Sequence, residues 1–172
     1  LRENISNAFS FIIFLDSIEN ELQLPDLYKT MIYKTMIIYS ASIVESLLFY
    51  KLSSMFKNNK IKEIDVLGDK IKYKEISKVL LNIKSDNPIF LCEKISTPVE
   101  IKPSTHFHKL IIYAKRCGLL SDTLFRDCNT IKDLRNNLHM SAMTRSDNSY
   151  SREDVNDVFT KVRKISNRIE NF

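Results

Sequence analysis

Glycine occurs only twice and proline four times in these 172 residues. A β-sandwich needs a turn roughly every ten residues, and a nucleotide-binding α/β fold needs a glycine-rich loop. So few turn residues exclude both and leave a mostly helical chain. Cysteine is scarce as well. Cys92, Cys117 and Cys128 are odd in number, widely spaced and form no C-x-x-C pair, which argues against a disulfide framework or zinc ribbon and for a reducing, cytoplasmic setting. Long apolar runs are lacking too. The longest, Met36 to Tyr50, contains Glu45 and falls short of the roughly twenty residues that span a bilayer. Phe9–Leu15 is apolar, but Asp16 and Glu19 follow it rather than a small-residue cleavage site, so it does not read as a signal peptide. A soluble chain with no membrane contact is expected.

Hydrophobic residues make up 44% and charged residues 27%, which places the chain among ordinary globular proteins. Its length suits one domain over residues 1–172. The start at Leu1 rather than Met points to a trimmed chain or a piece of a longer protein. Twenty-six Lys and Arg against 21 Asp and Glu give a formal charge of +5, mildly basic and compatible with a polyanionic partner. The excess is concentrated in residues 57–84. That stretch is either a solvated face or a nucleic-acid contact, with Lys70, Lys74 and Lys78 as the lysines to test.

Apolar periodicity predicts a bundle of five or six helices. Residues 1–24 carry helical spacing up to Pro25. Asp26 is expected to cap a second helix reaching about Phe56, apolar on nearly every side and therefore central. Tyr73 to Ile83 returns to helical spacing, whereas residues 88–103 hold β-branched residues broken by Pro98, the pattern of a small hairpin or extended insertion. Ser104 is expected to cap a helix over Phe107–Cys117, stopped by Gly118. A further helix, or two in series, covers Asp122 to about Met143. Ser151 and Asp154 resemble a capping box that opens the last helix, whose Val155, Val158, Phe159, Val162, Ile165 and Ile169 make one stripe.

The most informative segment runs from Arg126 to Met140. At 100° per residue, Leu124, Ile131, Leu134, Leu138 and Ala142 share a buried stripe, and Lys132, Arg135 and His139 lie along one edge of it. Asp133 and Asn137 point away. Arg135 and His139 are four apart, hence neighbours. Such a pair either snorkels and finds a structural carboxylate or forms an anion site, in which the guanidinium holds a phosphate and the imidazole moves a proton. Glu45 falls in line with Ile38, Ala41, Leu48 and Leu52. A carboxylate there must be paired or neutralised, and Arg135 and Lys132 are its expected partners.

The run LRNNLHM stands behind a helix ending in AKRCGLL and ahead of SREDVNDVFTKVRKI, with IIYSASIVESLLFYKL upstream. Together they resemble the HEPN superfamily of helical domains, over about residues 31 to 169. The resemblance implies a bundle, often a homodimer, whose catalytic members are endoribonucleases needing neither metal nor cofactor and serving in stress, toxin–antitoxin and antiviral defence. It implies catalytic roles for Arg135 and His139, a polar supporting role for Asn136 and a supporting acid in Glu45, with RNA as substrate and an antitoxin or effector as a further partner. The spacing departs from the family pattern. Three residues separate Arg135 from His139, where catalytic members have about four to six. Six separate Lys132 from His139, but lysine lacks the bidentate fork. The resemblance therefore implies an active ribonuclease or its inactive derivative.

Two readings of another class stand beside it: a non-catalytic helical module for dimerisation or partner binding within a larger protein, and an RNA-binding domain using the lysines of 57–84. Other sites find little support. His106 and His108 are adjacent-but-one on a helix and lack a second ligand pair, and no P-loop, GxGxxG or carboxylate cluster is present. The tyrosines of the second helix, with Phe49, read as core and dimer contact or as a stacking platform.

Overall fold

The computed structural model describes residues 2–58, 69–76, 81–83, 87–98, 100–138 and 150–172. Among them the chain forms five helices and a small antiparallel ribbon: α1 (Arg2–Glu21), α2 (Asp26–Lys57), β1 (Asp69–Glu75), β2 (Leu81–Ile83), β3 (Asn87–Ile89), β4 (Cys92–Pro98), α3 (Phe107–Arg116), α4 (Asp122–Asn137) and α5 (Arg152–Glu170). This is an all-α bundle with one hairpin excursion.

α2 is the axle, in contact with each of the other four helices. By length and composition it is also long and apolar enough to cross a membrane. In the fold, Met36, Ile37, Ala41, Val44, Leu48 and Leu52 are wholly enclosed, with Leu110 and Ile111 of α3, Ile131 of α4 and Val155, Val158 and Ile165 of α5 in the same cluster. The helix is not covered all round, however. Leu27, Met31, Ile38, Tyr39 and Tyr50 are exposed and share one side of the helix with Ser42, Ser46 and Phe49; α1 covers that side only in part, with the Phe11 ring 4.8 Å from Tyr39 and a hollow left between Ile5 and Ala8 and the serines.

The helix ends follow local chemistry. Pro25 precedes α2 and its carbonyl accepts from the Tyr28 and Lys29 amides; no side chain caps this end, so Asp26 is the first helical residue and not the cap. Ser104 does not cap α3 either. His106 holds that position, while Thr105 Oγ1 accepts the Lys102 amide at 2.9 Å in the preceding turn. Gly118, at φ 76, ends α3 in the left-handed region where a Cβ would be strained. Arg168 of α5 donates to the Leu119 carbonyl at 3.1 Å just beyond it. The Ser151–Asp154 capping box is present in both directions.

The hairpin occupies more of the chain than the sequence pattern suggests. β1 pairs with β4 from Asp69↔Pro98 to Glu75↔Cys92, and β2 pairs with β3 nearer the tip. The helix expected over Tyr73–Ile83 is thus a strand at both of its described ends. The alternation Lys-Ile-Lys-Tyr-Lys over residues 70–74 is a period-two pattern, and it outweighs the helical spacing of Ile76, Val79, Leu80 and Ile83.

One polar clamp ties three helices at one end of the bundle. Tyr33 on α2 donates to Glu19 Oε1 on α1 at 2.6 Å. Arg152 on α5 reaches Asp16 at 2.6 Å and Glu19 Oε2 at 3.2 Å. Burial, reinforced by the hydrogen bond to Glu19 and that carboxylate's charge, pushes the Tyr33 phenol up to about 12. Its folded pKa therefore lies above the unfolded value near 10. The stability it contributes is complete below about pH 10 and is lost as pH rises through about 12. In alkaline denaturation followed by circular dichroism, Tyr33→Phe should remove this step in the pH 10–12 window while lowering stability at neutral pH by about 1 kcal/mol.

Candidate functional site

The acid and the arginine expected to meet do so. Arg135 Nη1 donates to Glu45 Oε2 at 2.9 Å, joining α4 to α2 across 90 positions of sequence. Both side chains lie at the boundary of the core, 29% exposed for Arg135 and 27% for Glu45, so Glu45 is half-buried and paired rather than enclosed. α4 brings Arg135 there because Cys128, Ile131 and Leu138 are buried and fix its rotation. Ser121 starts the helix by accepting the Leu124 amide.

Lys132 does not join this pair. Its ammonium sits 3.1 Å from Asn129 Oδ1 and 3.1 Å from Asp133 Oδ1, a local arrangement on α4 itself. Asn136 and Asn137, at the end of α4, are exposed, and so is Asp133. His139 and Ala142 lie outside the described residues. Of the lysines singled out for nucleic acid, Lys70 stands opposite Thr97 and Lys74 opposite Glu93 in the β1–β4 ladder; Lys74 is exposed, and Lys78 lies outside the described residues. His106 and His108 are both exposed. Among the described residues no group of three or more His, Cys, Asp or Glu converges to hold a metal ion.

Beside the acid–arginine pair runs a hollow of about 310 Å³ lined by Glu45, Ser42, Ser46 and Phe49 of α2, by Pro103 and Thr105 of the loop before α3, and by Leu110. Ser42 and Ser46 also line the neighbouring hollow between α1 and α2. No motif in the sequence singles out these hydroxyls. Their i, i+4 spacing on a largely apolar helix is the signal that could have found them, since small polar residues one turn apart mark a face not packed in the core.

One arm of the Arg135 fork is held by Glu45, and the rest has no acceptor among the described residues. A guanidinium fixed at one edge is oriented to offer its remaining N–H groups to a planar anion. No protein-family model matches the chain, and comparison with curated proteins and with solved structures finds no match either.

Proposed function

We propose that the chain is a HEPN-like domain acting as a metal-independent endoribonuclease, or derived from one, in a stress, toxin–antitoxin or antiviral setting. The observation that carries the reading is the half-buried Arg135–Glu45 pair at 2.9 Å, beside a hydroxyl-lined hollow. Arg135 would hold the non-bridging phosphate oxygens and offset the charge that builds on the phosphorane. His139, one turn further along the sequence pattern, would take the 2′-hydroxyl proton or protonate the leaving 5′-oxygen. Asn136 would orient the scissile phosphate.

The motif holds one histidine, which fills one of these proton-transfer roles, so two copies are needed for both. The uncharged stripe of α2 beside Glu45, with Ile38, Tyr39 and Tyr50 exposed, supports a homodimer that brings two sites together. The test is RNA cleavage by the purified chain with divalent ions chelated, repeated on Arg135→Ala and His139→Ala. A dimer that never cleaves, with both variants indistinguishable from the parent, would instead make this a non-catalytic module.

The hairpin favours a second reading, RNA binding. Lys70, Lys72 and Lys74 take alternate positions of β1, and Tyr73 between them is 71% exposed, a basic strand interleaved with an aromatic. Replacing Lys70, Lys74 and Lys78 by Ala is expected to weaken single-stranded RNA binding. The slope of log K against log salt should become shallower by up to about 2, from roughly 0.7 per phosphate contact. An unchanged slope in a filter-binding series would remove the hairpin from the interface.

A further inference from the structure

Ser42 and Ser46 border two hollows, and the two differ in charge. The one against α1 has no charged group in its lining among the described residues. The one against the loop before α3, about 310 Å³, has Glu45. Oε2 of that carboxylate takes Arg135 Nη1 at 2.9 Å, and Arg135 is not among the residues around the hollow. The acid is therefore shared: one oxygen serves the guanidinium, and Oε1 has no partner among the described residues.

Whatever fills this hollow has to meet three chemical demands. Phe49, Pro103 and Leu110 present apolar surface, which suits the face of a flat ring. A half-buried carboxylate oxygen calls for a donor, so a phosphate or carboxylate is repelled. A cation gains little, because Arg135 already balances the charge of the acid. The hydroxyls supply the opposite polarity. Ser42 spends its O–H on the Ile38 carbonyl at 3.0 Å. Thr105 Oγ1 accepts from the Lys102 amide and keeps an O–H to give, and Ser46 has no hydrogen-bond partner among the described residues. An acceptor for N–H groups thus stands with donors for a carbonyl, against aromatic and apolar walls. An unstacked nucleobase is read by such a set, its face on an aromatic side chain and its Watson–Crick edge on hydrogen bonds.

Guanine answers this set best among the RNA bases. Its edge places two neighbouring donors, N1–H and the N2 amino group, beside the O6 acceptor. Adenine, cytosine and uracil each bring a single donor group to that edge. We infer that the hollow is a guanine subsite, holding the base of the nucleotide whose 3′-phosphate lies on Arg135; the placing of that phosphate rests on the ribonuclease reading above. Glu45 Oε1 accepts from the guanine donors, a hydroxyl of Ser46 or Thr105 donates to O6, and Phe49 covers one face of the ring. Holding the base fixes the ribose that carries the attacking 2′-hydroxyl beside the phosphate, so cleavage falls on the 3′ side of guanosine. Glu45 then has a task for each oxygen, positioning Arg135 with one and reading the base with the other.

The experiment is calorimetric titration of the folded chain with the 3′-monophosphates of guanosine, adenosine, cytidine and uridine, none of which offers a bond to cleave. The guanosine nucleotide should bind about fivefold more tightly than the others, the scale of one further hydrogen bond in a partly exposed site. Glu45→Gln should weaken all four through Arg135, but the ratio isolates the base. Guanine preference should shrink to about twofold, since a neutral acceptor is roughly half as strong as a charged one. Phe49→Leu keeps an apolar side chain and removes the ring, so all four should weaken by about fivefold at an unchanged ratio. Ser46→Leu fills the hollow from a half-buried position on α2 and should erase the preference; it decides the matter if Glu45→Gln unfolds. Equal binding of the four nucleotides overturns the inference, as does no binding, or a preference that survives both Glu45→Gln and Ser46→Leu at full size. Saturable binding of argininamide that Glu45→Gln abolishes also overturns it, by making the occupant a cation. The ribonuclease reading fails separately. Guanine-selective binding by a chain that never cleaves RNA keeps the subsite and removes the enzyme, whereas metal-independent cleavage spread evenly over the four bases keeps the enzyme and removes the subsite.

Discussion

With divalent ions chelated, Arg135→Ala is expected to cut RNA cleavage by about 10²–10³-fold, the loss that follows removal of one oriented donor from a developing anion. His139→Ala should lose about 10²–10⁴-fold, the usual contribution of a positioned acid or base. The intermediate substitutions carry more information. Arg135→Lys keeps the charge but not the planar fork, so it should recover only part of the rate. Glu45→Gln keeps the shape of the acid and removes the charge that holds Arg135 Nη1 at 2.9 Å. Glu45 is a positioning residue, and its loss should lower kcat more than it changes KM, by about tenfold. Lys132→Ala is the control. Its ammonium is engaged by Asn129 and Asp133 and stands apart from the Glu45 pair, so the rate should be nearly unchanged. If Lys132→Ala instead disables the protein while Arg135→Ala does not, the more distant of the two cations before His139 does the chemistry, and Arg135 is an architectural tie between α4 and α2.

The tie itself was legible in the sequence, because a carboxylate on the most apolar helix has few ways to be tolerated and the wheel of α4 brings Arg135 to a core edge. The capping box of α5 was legible for a similar reason: two side chains three apart satisfy each other locally, whatever the rest of the fold does. What escaped the sequence depends on competition or on distance. Lys132 is equivalent to Arg135 on the wheel, but Asn129 and Asp133 engage its ammonium on α4 itself. Ser104 looked like a cap, but Thr105 closes the turn from Lys102 and the helix begins beyond it. The strand β1 was hidden because its alternating lysines read as a solvated face, and the apolar residues after Glu75 fit either period.

The same axle role of α2 sets the largest stability effect. Leu48→Ala is expected to cost about 3–4 kcal/mol, because Leu48 is 0% exposed and a cavity opened beneath it cannot be closed by helices already held on every other side. For a domain of this size about 1 kcal/mol moves Tm by roughly 2–4 °C, so the midpoint should fall by about 6–16 °C, with the denaturant m-value unchanged. Ile38→Ala, earlier on the same helix, removes a side chain that is 38% exposed and should cost about 1 kcal/mol or less. The contrast tests how α2 is rotated: equal losses at the two positions would mean that the open stripe is covered within a single chain. If it is open, as the neighbouring Ser42, Ser46 and Glu45 imply, then Ile38→Asp should leave the fold of one chain intact and separate two copies that meet there. Sedimentation would read the change from dimer to monomer, and cleavage should fall with it, because each site would be left with one motif histidine for two proton transfers.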